Sequence, residues 1–276
     1  MSDEANQAIT ASRVRSRRAF RIVVPCVAVM LLIGLWQLIC TLELVPSFML
    51  PSPVQVVQAL IDDADLLAGH AATTLAEALI GLAGGIALGA LIAIAMERFK
   101  TIDAALSPLI TISQTIPVVA IAPLLVLWFG YDMLPKILLV ILTTFFPITV
   151  ALSTGFRSVD PDAIDLLRTM GMSRTRIFLY AKLPAAADSF FSGLLMSATY
   201  AVVAAVVAEW LGGFDGLGVY MTRVRKSYDY DSMFAAIVII SAVSLLLMGG
   251  TKALRYACMP WKRSGKKGRT EEGEEA

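Results

Sequence analysis

"DLLRTMGMSRTRIFLYAKLP", residues 165–184, places Arg168, Arg174, Arg176 and Lys182 between two strongly apolar runs. Charge is what a bilayer core excludes, so a basic hairpin here reads as an exposed connection between two buried spans. Just upstream, "SVDPDAIDLLRTMG" (158–171) offers Asp160 as an N-cap, Pro161 at the first helical position and Gly171 as a terminator. Ser173 caps a second short helix of mixed apolar and basic character, which Pro184 closes where the next span begins. The spacing predicts a helix-turn-helix with Ile164, Leu167, Ile177 and Phe178 available to face a groove. The pattern equally fits an amphipathic loop lying on anionic headgroups.

Working outward, 57% of the 276 residues are hydrophobic, 16% are charged and the mean hydropathy is +0.73, the composition of a chain that lives in lipid. A helix needs roughly 20 apolar residues to cross a hydrocarbon core of about 30 Å. Six stretches qualify, at about 22–41, 71–96, 104–129, 136–152, 185–211 and 233–257. The expected fold is therefore an all-α integral membrane protein of about six transmembrane helices. The first stretch follows Arg13, Arg15, Arg17, Arg18 and Arg21, but it is long and no small-residue cleavage site follows it, so it reads as a retained anchor. With the amino terminus inside, 19 of the 23 basic residues fall on inside segments, leaving Lys136, Arg223, Arg225 and Lys226 outside. Both termini are then cytoplasmic. A net charge of +1 gives no support to nucleic-acid binding.

Two features inside the spans stand out. Gly81, Gly85 and Gly89 recur every four residues in "GLAGGIALGA" (81–90), which lets another backbone approach closely and makes the second span central. In "SQTIPVVAIAP" (113–123), Pro117 and Pro123 each remove a backbone donor and predict a kinked or broken third span. Cys26, Cys40 and Cys258 sit in or beside apolar runs, lack any paired spacing and read as buried thiols. An intramembrane enzyme would need acids concentrated at membrane depth, whereas "DDAD", "DPDAID" and "YDYD" all read as loop segments. His70, the only histidine, has no visible catalytic partner.

The hairpin resembles the cytoplasmic loop of binding-protein-dependent ABC importer permeases, whose signature is EAA, three residues, Gly, nine residues, Ile, one residue, Leu-Pro. Asp165 stands at the Glu position, Gly171 at the glycine and Leu183-Pro184 at the closing pair, while Leu166, Leu167 and Ala181 depart from the signature. "LPSPVQVVQAL" (50–60), "PVVAIAPLLVLWFGYDMLPK" (117–136) and "AEWLGGFDGLG" (208–218) resemble the branch serving nitrate, taurine, aliphatic sulfonates and thiamine precursors, and look most like its hydroxymethylpyrimidine type.

That resemblance implies the type I importer permease fold in a bacterial inner membrane. It divides the chain into a basic cytoplasmic N-terminus (1–21), a first helix (22–41), an external loop (42–67), a permease domain (68–252) with a coupling loop (158–184), and a cytoplasmic tail (253–276). It implies partners: cytoplasmic ATPase subunits, an external solute-binding protein and a second permease copy. It assigns ATPase coupling to Asp165, Arg168, Gly171, Ser173, Arg174, Leu183 and Pro184, with Leu183 and Pro184 setting the angle at which the loop enters the next span. No cofactor is expected, and no G-x-x-x-x-G-K-[ST] occurs: "PWKRSGKKG" (260–268) carries Pro260 and Lys267 at the required positions, so ATP hydrolysis falls to another chain. Polar residues at membrane depth give Gln114, Thr115 with Pro117, Tyr200 and Glu209 as pathway candidates, each against a plainer reading as helix packing or a solvated mouth. Glu77 reads like Glu209, and Trp128 and Trp210 as solute-stacking or interfacial residues.

Overall fold

The computed structural model describes residues 23–46 and 49–260. The basic segment 1–21 and the tail beyond 260 lie outside the described residues. The cysteines are not the buried thiols expected: Cys26 and Cys258 lie on outward faces of their helices and are exposed, and Cys40 is only partly covered. Every regular element among the described residues is helical. In chain order they are α1 (Val23–Thr41), α2 (Pro53–Asp62), α3 (Ala64–Arg98), α4 (Lys100–Ser113), α5 (Val118–Phe129) and α6 (Met133–Arg157), then α7 (Pro161–Thr169), α8 (Arg174–Ile177), α9 (Leu183–Leu211), α10 (Leu217–Lys226) and α11 (Tyr230–Cys258). Among the described residues, five helical runs are long and apolar enough to span a membrane. The pair α4–α5, bent by 98° at its break, makes a sixth if taken as one span.

Two compact units are present. One comprises the described residues up to Ala64 with Val224–Ala235. The segment expected as an external loop, 42–67, carries a ten-residue helix here, α2, which forms because Ser52 and Gln55 make a reciprocal capping box and Pro53 starts the first turn. Trp36 Nε1 donates to the Pro51 carbonyl at 3.0 Å, and its ring lies 5.9 Å from that of Phe234.

The second unit, Asp65–Arg223 with the described residues from Ala236 onward, holds the main core. The glycine ladder works here by absence of side chains. A Cβ on Gly81 would lie 2.4 Å from Val140 Cβ, one on Gly85 would lie 2.0 Å from Thr144 Oγ1, and one on Gly89 would lie 2.8 Å from the Phe145 carbonyl. Thus α3 seats its bare face on α6, and Thr149 Oγ1 donates across the seam to the Gly89 carbonyl at 3.3 Å. On the opposite partner, Gly193 of α9 meets the Pro147 carbonyl and Ser197 Oγ donates to the Thr144 carbonyl at 3.0 Å. Replacing Gly85 with leucine should abolish recovery of monodisperse protein from detergent, whereas Gly249→Ala, at a site with open space around it, should leave the elution profile unchanged. Equal profiles would mean that the close α3–α6 seam is not what holds this unit together.

One boundary differs from the sequence reading. Pro184 does not end the short helix; Arg174–Leu211 is one 38-residue run. A π-helical turn at Phe178–Lys182 absorbs the proline, with the Leu183 N–H reaching back five residues to the Phe178 carbonyl, so the ring avoids the carbonyl it would strike in a regular turn. The third span is broken as expected: the break falls at residues 114–117, with Pro117 as the cap of α5, while Pro123 sits inside α5.

Candidate functional site

Three constellations in the second unit bear on function. The first is a cleft of about 660 Å³ beside the α4–α5 break, walled by α6 and α9. Gln114 and Tyr200, picked from the sequence, both line it, with Thr143, Thr154, Ser192 and Asp188. Thr143 and Ser192 return their hydroxyls to carbonyls of their own helices, whereas the Gln114 amide and Tyr200 hydroxyl have no protein partner among the described residues. They are the polar heads available to a guest. Thr115 and Pro117 sit in the exposed break but do not line the cleft; Thr115 Oγ1 donates to the Ile112 carbonyl at 2.7 Å. Trp128 and Trp210 are exposed and away from it, as interfacial anchors would be.

The second constellation corrects the reading of Glu209. It is neither a solvated mouth residue nor a cleft residue: it is 1% exposed. Its Oε1 accepts from Thr74 Oγ1 at 2.7 Å and its Oε2 from the Gly218 N–H at 2.6 Å. Beside it, Lys136 Nζ donates to Glu77 Oε1 at 2.9 Å and to the Asp215 carbonyl at 3.2 Å, with both side chains at most 5% exposed. His70 holds the same stretch of backbone. Its Nδ1 accepts from the Gly216 N–H at 3.0 Å and its ring lies 5.5 Å from that of Tyr220. The Leu217 N–H goes to Thr74.

Four side chains from three helices therefore hold the backbone of residues 215–218, satisfying one carbonyl and three N–H groups that no strand or helix pairs. Gly216, at φ +121°, passes so close that a Cβ would lie 2.2 Å from Glu209 Oε1. Lys136 was counted from the sequence as an outside charge. Nothing local marks it as buried, because its partner is 59 residues away.

The third constellation is the opening hairpin. Asp160 caps α7 by accepting from the Asp162 N–H at 3.0 Å, and Ser173 caps α8. Gly171, at φ +82°, closes α7 with paired reverse bonds: its own N–H reaches the Arg168 carbonyl at 2.9 Å and the Met172 N–H reaches Leu167 at 3.0 Å. Asp165 pairs with Arg168 at 2.8 Å on the exposed surface. The base of the hairpin is tied to the bundle by Lys182–Glu97 and Arg157–Asp103, both at 2.5 Å. One expectation is reversed here. Ile177 is buried and Phe178 packs on Phe156 with ring centroids 5.2 Å apart, so these two serve the bundle itself. The apolar side chains that α7 offers outward are Leu166 and Met170, 63% and 74% exposed.

Residues 85–255 match the family described as the binding-protein-dependent transport system inner membrane component. The chain belongs to this family. The permease is 41% identical over 227 residues, covering 82% of this chain and 93% of the other, to a probable ABC transporter permease protein of Haemophilus influenzae. It is 36% identical, over 90% and 99% of the two chains, to the formylaminopyrimidine transport permease protein of Halalkalibacterium halodurans. Further relatives named for aliphatic sulfonate, taurine and nitrate transport place it in the branch that the sequence resembled. Its fold is that of a chain from a bacterial importer of the polysaccharide alginate, with a TM-score of 0.60 over 93% of this chain and 97% of that one at 15% identity. The permease is thus a membrane subunit of an ABC importer of the type I fold.

Proposed function

We propose that two copies of this permease form the solute pathway, that the α7–α8 hairpin docks into cytoplasmic ATPase subunits, and that an external binding protein delivers a small pyrimidine-type solute at the opposite end. Relatives along nearly the full length of the chain are ABC permeases, which supports a nucleotide-driven partner; a single set of spans without an internal repeat supports two copies. Clustering of basic residues at the hairpin supports its cytoplasmic placement. Alternating access requires two packings of similar energy, biased by nucleotide state through the hairpin.

The solute assignment rests on one observation, the 36% match to a formylaminopyrimidine permease across 99% of that protein. The cleft is compatible with it: Tyr200 supplies a ring face and Gln114 an amide that both donates and accepts, and no lysine or arginine lines the wall to favour an inorganic anion. In a strain that needs an external pyrimidine precursor, deleting this chain should abolish growth on that precursor and leave taurine and nitrate use unchanged. The reverse pattern would transfer the assignment to the sulfonate or nitrate members of the branch.

A further inference from the structure

At the hairpin end of the second unit lies another cleft, of about 740 Å³, bounded by the end of α3, the start of α4, and α7–α8 with the π-helical turn. Five cationic side chains line it, Arg98, Lys100, Arg168, Arg174 and Lys182, against one carboxylate, Glu97. Glu97 is already engaged by Lys182, and Arg168 by Asp165 outside the cleft. Arg98, Lys100 and Arg174 have no acidic partner among the described residues. Such an arrangement is self-repelling when empty and is relieved by a compact polyanion. Guanidinium groups meeting from different elements suit phosphoryl oxygens, which they bind in paired, charge-assisted hydrogen bonds.

The geometry of α7 keeps this cleft separate from the face offered to a partner. Ile164 and Arg168, four residues apart, line the cleft, while Leu166 and Met170, about 200° around the helix from them, point to solvent. The cleft and these two side chains therefore lie on opposite sides of α7.

We propose that this cleft is a binding site for a phosphate-bearing anion, bridging the bundle (Arg98, Lys100) and the hairpin (Arg168, Arg174). Occupancy links the hairpin to the bundle by charge, beyond the ties that Lys182 and Arg157 already make. The site rests on the cleft and its cations and is independent of the solute assignment. Two sources supply the same chemistry: a soluble phosphoryl anion, or the headgroup of an anionic lipid.

The test uses the purified full chain with its co-purifying subunits and reads thermal unfolding. Millimolar pyrophosphate, compared with chloride at equal ionic strength, should raise the midpoint by roughly 3–8 °C in the wild type. The Arg98→Gln/Lys100→Gln double variant should lose most of that rise. If pyrophosphate has no effect but nanodiscs of phosphatidylcholine with 30% phosphatidylglycerol stabilise the wild type over pure phosphatidylcholine, and the double variant loses that gain, the occupant is a lipid headgroup. Should neither anion stabilise the wild type, or should both stabilise the double variant equally, the site does not exist. If the double variant does not fold, Arg174→Gln serves in its place with the same readings, since its exposed side chain carries no packing.

Discussion

Lys136→Met should cost about 3–5 kcal/mol, the usual penalty for stranding a buried charge. With the ammonium gone, Glu77 is left at 1% exposure without its donor, next to a second carboxylate at Glu209, and the Asp215 carbonyl loses its partner as well. The expected readout is a much lower midpoint in a graded SDS unfolding titration and a sharply reduced yield. The control is Lys136→Met/Glu77→Leu, in which both charges go together. Replacing a buried ion pair by apolar side chains of similar volume is commonly close to neutral, so most of the loss should return. A single variant within about 1 kcal/mol of wild type would mean that the pair is hydrated and that the loop is held by something else.

The second large effect is at Gly171. Its φ of +82° is open to glycine and, less readily, to asparagine, but strained for a β-branched residue by about 1–3 kcal/mol. No atom crowds the position, so the penalty is purely conformational and stays local to the turn between α7 and α8. Gly171→Val should therefore insert and assemble normally while uptake falls by an order of magnitude or more, with ATP hydrolysis continuing. Gly171→Asn should retain a large part of transport. Normal uptake in the valine variant would detach this turn from coupling.

The hairpin was readable because its signals are local: caps, a positive-φ glycine and a charge pattern all act within a few residues. The glycine ladder was readable for the same reason, as a period along one helix. Glu209 and Lys136 were not. Their burial is decided by contacts 59 and 135 residues distant, between helices whose rotation about their own axes no local pattern specifies. The place of His70 is equally hidden, because the group its ring accepts from is a backbone N–H, which sequence cannot advertise. Pro184 misled for a different reason. A proline rule that holds for regular turns fails where the backbone can widen by one residue, and "IFLYAKLP" (177–184) carries no mark of that choice.

Because Pro184 is absorbed, Arg174 and Leu211 sit at the two ends of one stiff rod about 57 Å long, with Gly193 near its midpoint pressed against the Pro147 carbonyl. Close approaches to α6 recur along it, at Ala186 against Gly155, at Gly193, and at Ser197 on the Thr144 carbonyl, so the rod has no free hinge between its ends. On the proposed coupling, a displacement at the Arg174 end is carried to Leu211 by the rod and the helix it is seated on together, as one lever, with no messenger between them.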